Sequence, residues 1–247
     1  METISLPDRD LHLGPDDIHI WFTNLNVNCA RLPTLESYLG ADERVRADRY
    51  HFHLDRDRFV CARGILRELL GAYSRQHPAN LRFTYGPFGK PAAIQSGNVV
   101  PKFNCSRSGD IALFAFALDR DVGVDIECIE EDDDFLNIAM QYYTLAENEI
   151  LKNLDGQARM VELFRYWTRR EAYLKATGDA LGHPTVELDV SDSVIRSGDG
   201  ASTWTIETFD FVPGYASSLA SAGMNQIHSI FDYGALPASI VALRTAS

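Results

Sequence analysis

Two short acidic motifs hold the side chains best suited to chemistry in this chain. The first is Gly123-Val124-Asp125-Ile126-Glu127, and the second runs Trp167-Thr168-Arg169-Arg170-Glu171-Ala172-Tyr173-Leu174-Lys175. Asp125 and Glu127 lie two apart inside an apolar run. On a strand their carboxylates share one face, and Val124, Ile126 and Cys128 form the buried one. Trp167, Glu171 and Lys175 lie four apart, so on a helix they share one stripe. Adjacent carboxylates repel unless a positive charge lies between them. Three carboxylates with a lysine nearby can hold a hard divalent cation against a phosphate, and Mg²⁺ wants such oxygen ligands. That combination points to phosphoryl chemistry. Two blander readings stay open on the residues alone. The strand acids could be solvated on a sheet edge, and Glu171–Lys175 could be a surface pair at helical spacing.

The elements that must position these residues follow from periodicity and turn chemistry. Ile18–Leu25 alternates as a strand. Ala41–Tyr73 reads as two helices, the second carrying Phe59, Ala62, Ile65, Leu66, Leu69 and Leu70 at helical spacing. Leu81–Tyr85 is a short strand before the Gly86-Pro87 and Gly89-Lys90-Pro91 turns. Ile111–Leu118 and Val122–Ile129 are apolar strands on either side of the Asp119-Arg120-Asp121 turn. Thr144 with Glu147 forms a capping box for a helix through Leu154. Arg159–Thr177 is the strongest helix, ended by Gly178. Trp204–Phe211 reads as a strand, followed by the Pro213-Gly214 turn, a strand from Tyr215, and a closing strand at Ser239–Leu243. The fold class is α+β. Each half places helices before strands, which suggests a duplicated unit divided near Leu118–Val122, with halves 1–118 and 119–247.

Composition narrows the function classes. The chain has 247 residues, 45% hydrophobic and 23% charged, as an ordinary globular protein has. No apolar run is long enough to span a bilayer, and the start Met1-Glu2-Thr3-Ile4-Ser5 lacks the pattern of a signal peptide. The net charge of −12 argues against nucleic acid or anionic membrane as a partner. That charge is unevenly spread: Arg44, Arg46, Arg49, Arg56, Arg58, Arg63 and Arg67 cluster, and Glu130–Asp134 is an acidic run that reads as a solvated loop. A basic wall facing an acidic metal site suits a ligand with several phosphates. Cys29, Cys61, Cys105 and Cys128 show no metal-ligand spacing and read as buried thiols in a reducing cytosol. None of the histidines joins a cluster, and His51 and His53 read as surface residues.

Four motifs in order carry a family resemblance: Phe88-Gly89-Lys90-Pro91, Phe103-Asn104-Cys105-Ser106-Arg107-Ser108, the D-x-E strand and the W-x-x-x-E-x-x-x-K helix. Over Phe88–Lys175 the chain resembles the phosphopantetheinyl transferases, in particular the longer class that activates peptide and polyketide synthases. The resemblance implies a pseudodimer of two α+β halves with its active site at their seam. It implies that Glu171 completes the metal site with Asp125 and Glu127 and takes the proton of an acceptor serine, and that Lys175 contacts phosphate. Lys90, Ser106 and Arg107 would contact the phosphates of coenzyme A, and Arg46, Arg49 and Arg58 its 3′-phosphate. Arg107 is a departure, because histidine is usual there; arginine grips phosphate with a permanent charge and a bidentate fork. Arg170 is a milder one, standing where lysine is common. Trp167 reads as core packing.

The implied reaction moves the phosphopantetheine arm of coenzyme A to a serine of an apo acyl or peptidyl carrier protein, with Mg²⁺ or Mn²⁺, releasing adenosine 3′,5′-bisphosphate. Phe135, Tyr142 and Tyr143 are candidates for the apolar part of the carrier's docking patch. A cytoplasmic monomer is expected. Two rivals use the same residues differently: a metal-dependent phosphohydrolase, and a non-catalytic carrier-binding protein.

Overall fold

The computed structural model describes residues 11–95, 99–130, 137, 139–178, 188–196, 202–224 and 226–234. In chain order the elements begin with β1 (Asp17–Asn24), α1 (Leu32–Ser37), α2 (Ala41–Ala47) and α3 (His53–Ser74). There follow β2 (Phe83–Tyr85), β3 (Pro91–Ala93), β4 (Lys102–Ser108), β5 (Ile111–Ala117) and β6 (Val122–Cys128). The rest are α4 (Leu145–Lys152), α5 (Gly156–Thr177), β7 (Val194–Arg196), β8 (Thr203–Phe209), β9 (Tyr215–Ala222) and β10 (Ile227–Asp232). The architecture is α+β, in two compact units: Met1–Asp119 with Gln226–Ser247, and Arg120–Asn225.

The first unit is a four-stranded sheet in the order β10-β1-β5-β4. β1 and β4 both run antiparallel to β5, and β10 lies parallel to β1 with Asp17 opposite Ile227. One side of α3 packs Ile65, Leu66 and Leu69 against Trp21, Phe114 and Phe116 of the sheet. Tyr73 fixes the register of that contact, its hydroxyl accepting from Trp21 Nε1 at 2.9 Å. The unit also corrects the expected division. The sequence assigns everything from 119 onward to the second half, whereas β10 returns to the first unit's sheet. Tyr233, just past β10, donates to Glu68 Oε2 on α3 at 2.7 Å, and Arg31 bonds both residues. The expected closing strand, Ser239–Leu243, lies outside the described residues.

The second unit is a four-stranded sheet, β6-β9-β8-β7, with α5 laid against β6 and β9. The capping box of α4 is present: the Glu147 backbone N–H donates to Thr144 Oγ1 at 3.2 Å, and Glu147 Oε2 accepts from the Thr144 backbone at 2.8 Å. Glu147 is fully buried and also pairs with the buried Arg170 at 2.9 Å. Arg170 therefore serves the interior: it ties α5 to α4 and, through the Leu188 carbonyl at 2.7 Å, to the segment before β7. Helix α5 ends at Gly178, whose φ of 83° supplies the left-handed cap that glycine adopts without strain. Tyr143 is buried, and its hydroxyl donates to the Leu163 carbonyl at 2.8 Å. It is a core residue rather than part of a docking patch. Tyr142 is half-buried, edge-on to Trp167, and Phe135 lies outside the described residues. Of the cysteines, Cys61 is buried, while Cys105 and Cys128 are only half-buried, contrary to expectation.

Candidate functional site

The carboxylate cluster belongs to the second unit. Gly123, Asp125 and Glu127 take alternate positions on β6 and so face one side. Helix α5 crosses that side. A Cβ at Gly123 would lie 2.1 Å from the Ala172 carbonyl oxygen and 2.3 Å from the Ala176 nitrogen. Only glycine lets the helix lie so close. Glu171 and Lys175 each precede one of those contact points, so the same approach sets them against the strand's acids. The side carrying Asp125 and Glu127 is therefore enclosed as well as the side carrying Val124 and Ile126. Asp125 is only 1% exposed.

Lys175 Nζ donates to Asp125 Oδ1 at 2.5 Å. Glu171 Oε1 is buried and has no hydrogen-bond partner among the described residues. Burial, and then the Asp125 charge, pushes the Glu171 carboxyl up to about 7, while the Lys175 ammonium pulls it down. Glu127 adds a smaller push in the same direction as Asp125. The structure thus brings Asp125, Glu171 and Lys175 together. It does not close three acids around one point: among the described residues, no group of three His, Cys, Asp or Glu side chains is arranged to hold a metal ion. The positive charge against Asp125 is the lysine. The donors themselves suit a hard cation. All are carboxylate oxygens, and the orphaned Glu171 oxygen with its raised proton affinity marks a place where positive charge is wanted.

The arginines expected around phosphate belong to the first unit, and the structure sorts them. Arg63 and Arg67 both pair with the buried Glu43, Arg67 at 2.6 Å. Arg56 pairs with Glu36. Arg58 pairs with Asp110 in the β4–β5 turn and, at 3.6 Å, with Asp55. Arg44 donates to the carbonyls of Leu39 and Ser37 at 3.1 Å each. Arg46 and Arg49 are exposed, with no carboxylate in ion-pair contact among the described residues.

These last two line a cavity of about 960 Å³ together with Ser106, Arg107, Tyr50 and Tyr85. Arg46 lies over the Phe59 ring at 5.3 Å, and Arg107 Nη2 donates to the Tyr50 hydroxyl at 3.2 Å. Gly89 and Pro91 line the same cavity; Lys90, between them, does not. The Gly89 φ of 81° and the Gly86 N–H donating to the Lys90 carbonyl at 2.9 Å make this a tight turn. Arg58 is outside the cavity, its charge already answered by Asp110. Sequence reasoning missed Tyr50, Tyr85 and the spacing role of Gly123. Gly123 alone left a signal, a glycine inside an otherwise apolar strand. His51 and His53 are exposed, as expected.

A family model described as the 4'-phosphopantetheinyl transferase superfamily matches residues 121–220. The 4'-phosphopantetheinyl transferase HetI of Nostoc sp. is 37% identical over 176 residues, which span 70% of this chain and 73% of that protein. The 4'-phosphopantetheinyl transferase Sfp of Bacillus subtilis is 24% identical over 191 residues, spanning 75% of this chain and 83% of that protein. Among solved structures, a holo-(acyl-carrier-protein) synthase from Bacillus anthracis superposes with a TM-score of 0.33 at 19% identity, covering 42% of this chain and 96% of that one.

Proposed function

The chain belongs to the 4'-phosphopantetheinyl transferase superfamily, and we propose that it moves the phosphopantetheine arm of coenzyme A onto a serine of an apo acyl or peptidyl carrier protein. The observation that carries this reading is the meeting of the buried Asp125 with the half-buried Glu171 and Lys175, on a helix held close by Gly123. In the reaction the serine oxygen bonds to the proximal phosphorus and the pyrophosphate P–O bond breaks, releasing adenosine 3′,5′-bisphosphate. Glu171, or a water it orients, takes the serine proton. Lys175 sits at the boundary of the buried acids, 31% exposed, where its ammonium can turn from Asp125 to a phosphate oxygen. A Mg²⁺ or Mn²⁺ ion held by Asp125, Glu127 and Glu171 would supply charge neutralisation at the pyrophosphate.

Arg46, Arg49, Ser106 and Arg107 are the proposed phosphate contacts of the cavity, with Lys90 in the turn beside it. Arginine at 107 brings a planar fork that matches the oxygens of a phosphate. Arg58 is the weakest of the proposed contacts, because it must leave Asp110 to reach a ligand. One four-stranded sheet and one 22-residue helix in each unit support reading the chain as a pseudodimer. No helix among the described residues is long and apolar enough to cross a membrane. The thiols of Cys61, Cys105 and Cys128 support a reducing, cytoplasmic setting, and we take the working form to be a monomer.

One experiment separates the readings. The protein is incubated with Mg²⁺, coenzyme A and an apo carrier, and the carrier is weighed by mass spectrometry. Transfer adds the phosphopantetheine mass. A phosphohydrolase would cleave coenzyme A without carrier, and a scaffold would bind carrier without changing its mass. Either result overturns the proposal.

A further inference from the structure

Arg107 is the one cavity arginine that reaches in from the sheet, and its position is set by an aromatic hydroxyl. It stands on β4 opposite Ala112 of β5. No carboxylate makes an ion pair with it among the described residues, unlike Arg56, Arg58, Arg63 and Arg67. Its Nη2 donates to the Tyr50 hydroxyl at 3.2 Å, and its guanidinium carbon lies 6.0 Å from the centre of the Tyr50 ring. Tyr50 is itself held: its ring packs on Phe59 at 5.5 Å, against the buried cluster of Leu39, Ala47, Phe59 and Val60.

This arrangement suits a long cation waiting for an anion. A carboxylate partner would hold the guanidinium but cancel its charge and have to be displaced. A neutral phenol holds it and leaves the charge intact. Among the described residues only one of the guanidinium's five N–H groups is taken, which leaves the others for a ligand. Fixing the side chain beforehand also reduces the entropy lost when phosphate binds. We infer that Tyr50 is a positioning residue for Arg107, holding its guanidinium in the first unit's cavity for a phosphate of coenzyme A. The inference rests on the proposed role of Arg107 as a phosphate contact.

The test is a double-mutant cycle on coenzyme A affinity, read by calorimetry, alongside steady-state kinetics with an apo carrier. Tyr50→Phe keeps the ring on Phe59 and removes only the hydroxyl; thermal melts confirm that it folds. Its affinity for coenzyme A should fall about three- to tenfold, with KM rising in step and kcat unchanged. In an Arg107→Gln background, Tyr50→Phe should change nothing further. Wild-type affinity in Tyr50→Phe, or an equal loss in both backgrounds, overturns the inference and leaves the role of Arg107 standing. Wild-type affinity in Arg107→Gln overturns the phosphate contact itself, and the positioning role with it.

Discussion

Replacing Gly123 with alanine tests the geometry on which the site depends. Gly123 is not in the left-handed backbone region, so alanine brings no conformational strain of its own. The cost lies in the added methyl. It would sit 2.1 Å from the Ala172 oxygen, 2.3 Å from the Ala176 nitrogen and 2.9 Å from the Ala176 Cα. Carbon contacts are comfortable near about 3.5 Å, so helix α5 must withdraw by roughly 1 Å. Backbone atoms cannot rotate aside, which puts the overpacking cost near the top of its usual range, about 3 kcal/mol. Folded domains have about 5–15 kcal/mol in hand, so the protein should fold with a lowered melting temperature. Activity should suffer more. Glu171 and Lys175 ride on the displaced turns, and a 1 Å misplacement of catalytic groups costs about 100-fold in rate. Urea titration and carrier-loading assays, run well below the melting transition, read the two effects separately. Adding Ala172→Gly should rescue neither, because the obstructing atoms are backbone. Wild-type turnover in a well-folded Gly123→Ala protein would refute the claim that this contact sets the site.

Four further outcomes follow from the same geometry. Asp125→Asn should abolish carrier loading while keeping far-UV circular dichroism and the urea midpoint near wild type, since the Lys175 ammonium it leaves is partly exposed; turnover at saturating Mg²⁺ would remove Asp125 from the machinery. Arg46→Ala should weaken coenzyme A binding by about 1.5–3 kcal/mol as a lost charge-assisted contact, and Arg58→Ala by much less, a ranking that calorimetry checks. Glu147→Gln strands the buried Arg170 charge and weakens the α4 cap, and should cost about 3–5 kcal/mol in denaturant titrations; a loss below 1 kcal/mol, the range of exposed pairs, would contradict that. His19 is held neutral, its pKa lowered to about 4 chiefly by burial, with Asp17 pulling the other way. The unfolded chain, titrating near 6.5, binds the proton more readily, so stability is intact above about pH 6.5 and should fall by about 2 kcal/mol by pH 5. A His19→Gln protein that keeps the same acid-side slope would assign it elsewhere.

The sequence by itself determined the local elements and the chemistry they could carry. Capping at Thr144 and Glu147, the stop at Gly178, and the two-residue spacing of Asp125 and Glu127 depend on neighbours a few residues apart. Helix and strand periods therefore expose them directly, and the ordered motifs identified the family. Tertiary structure decided which charges are available. Seven arginines look alike in the chain, but Arg56, Arg58, Arg63 and Arg67 are answered by carboxylates on other elements, while Arg46 and Arg49 face a cavity. The destination of β10 was equally hidden, because a short strand does not name its partner and its pairing with β1 joins opposite ends of the chain. The same holds for Tyr50 and Arg107, and for Gly123 against Ala172 and Ala176. Each of these contacts forms only when distant segments pack, and its energy depends on a separation that no local spacing encodes.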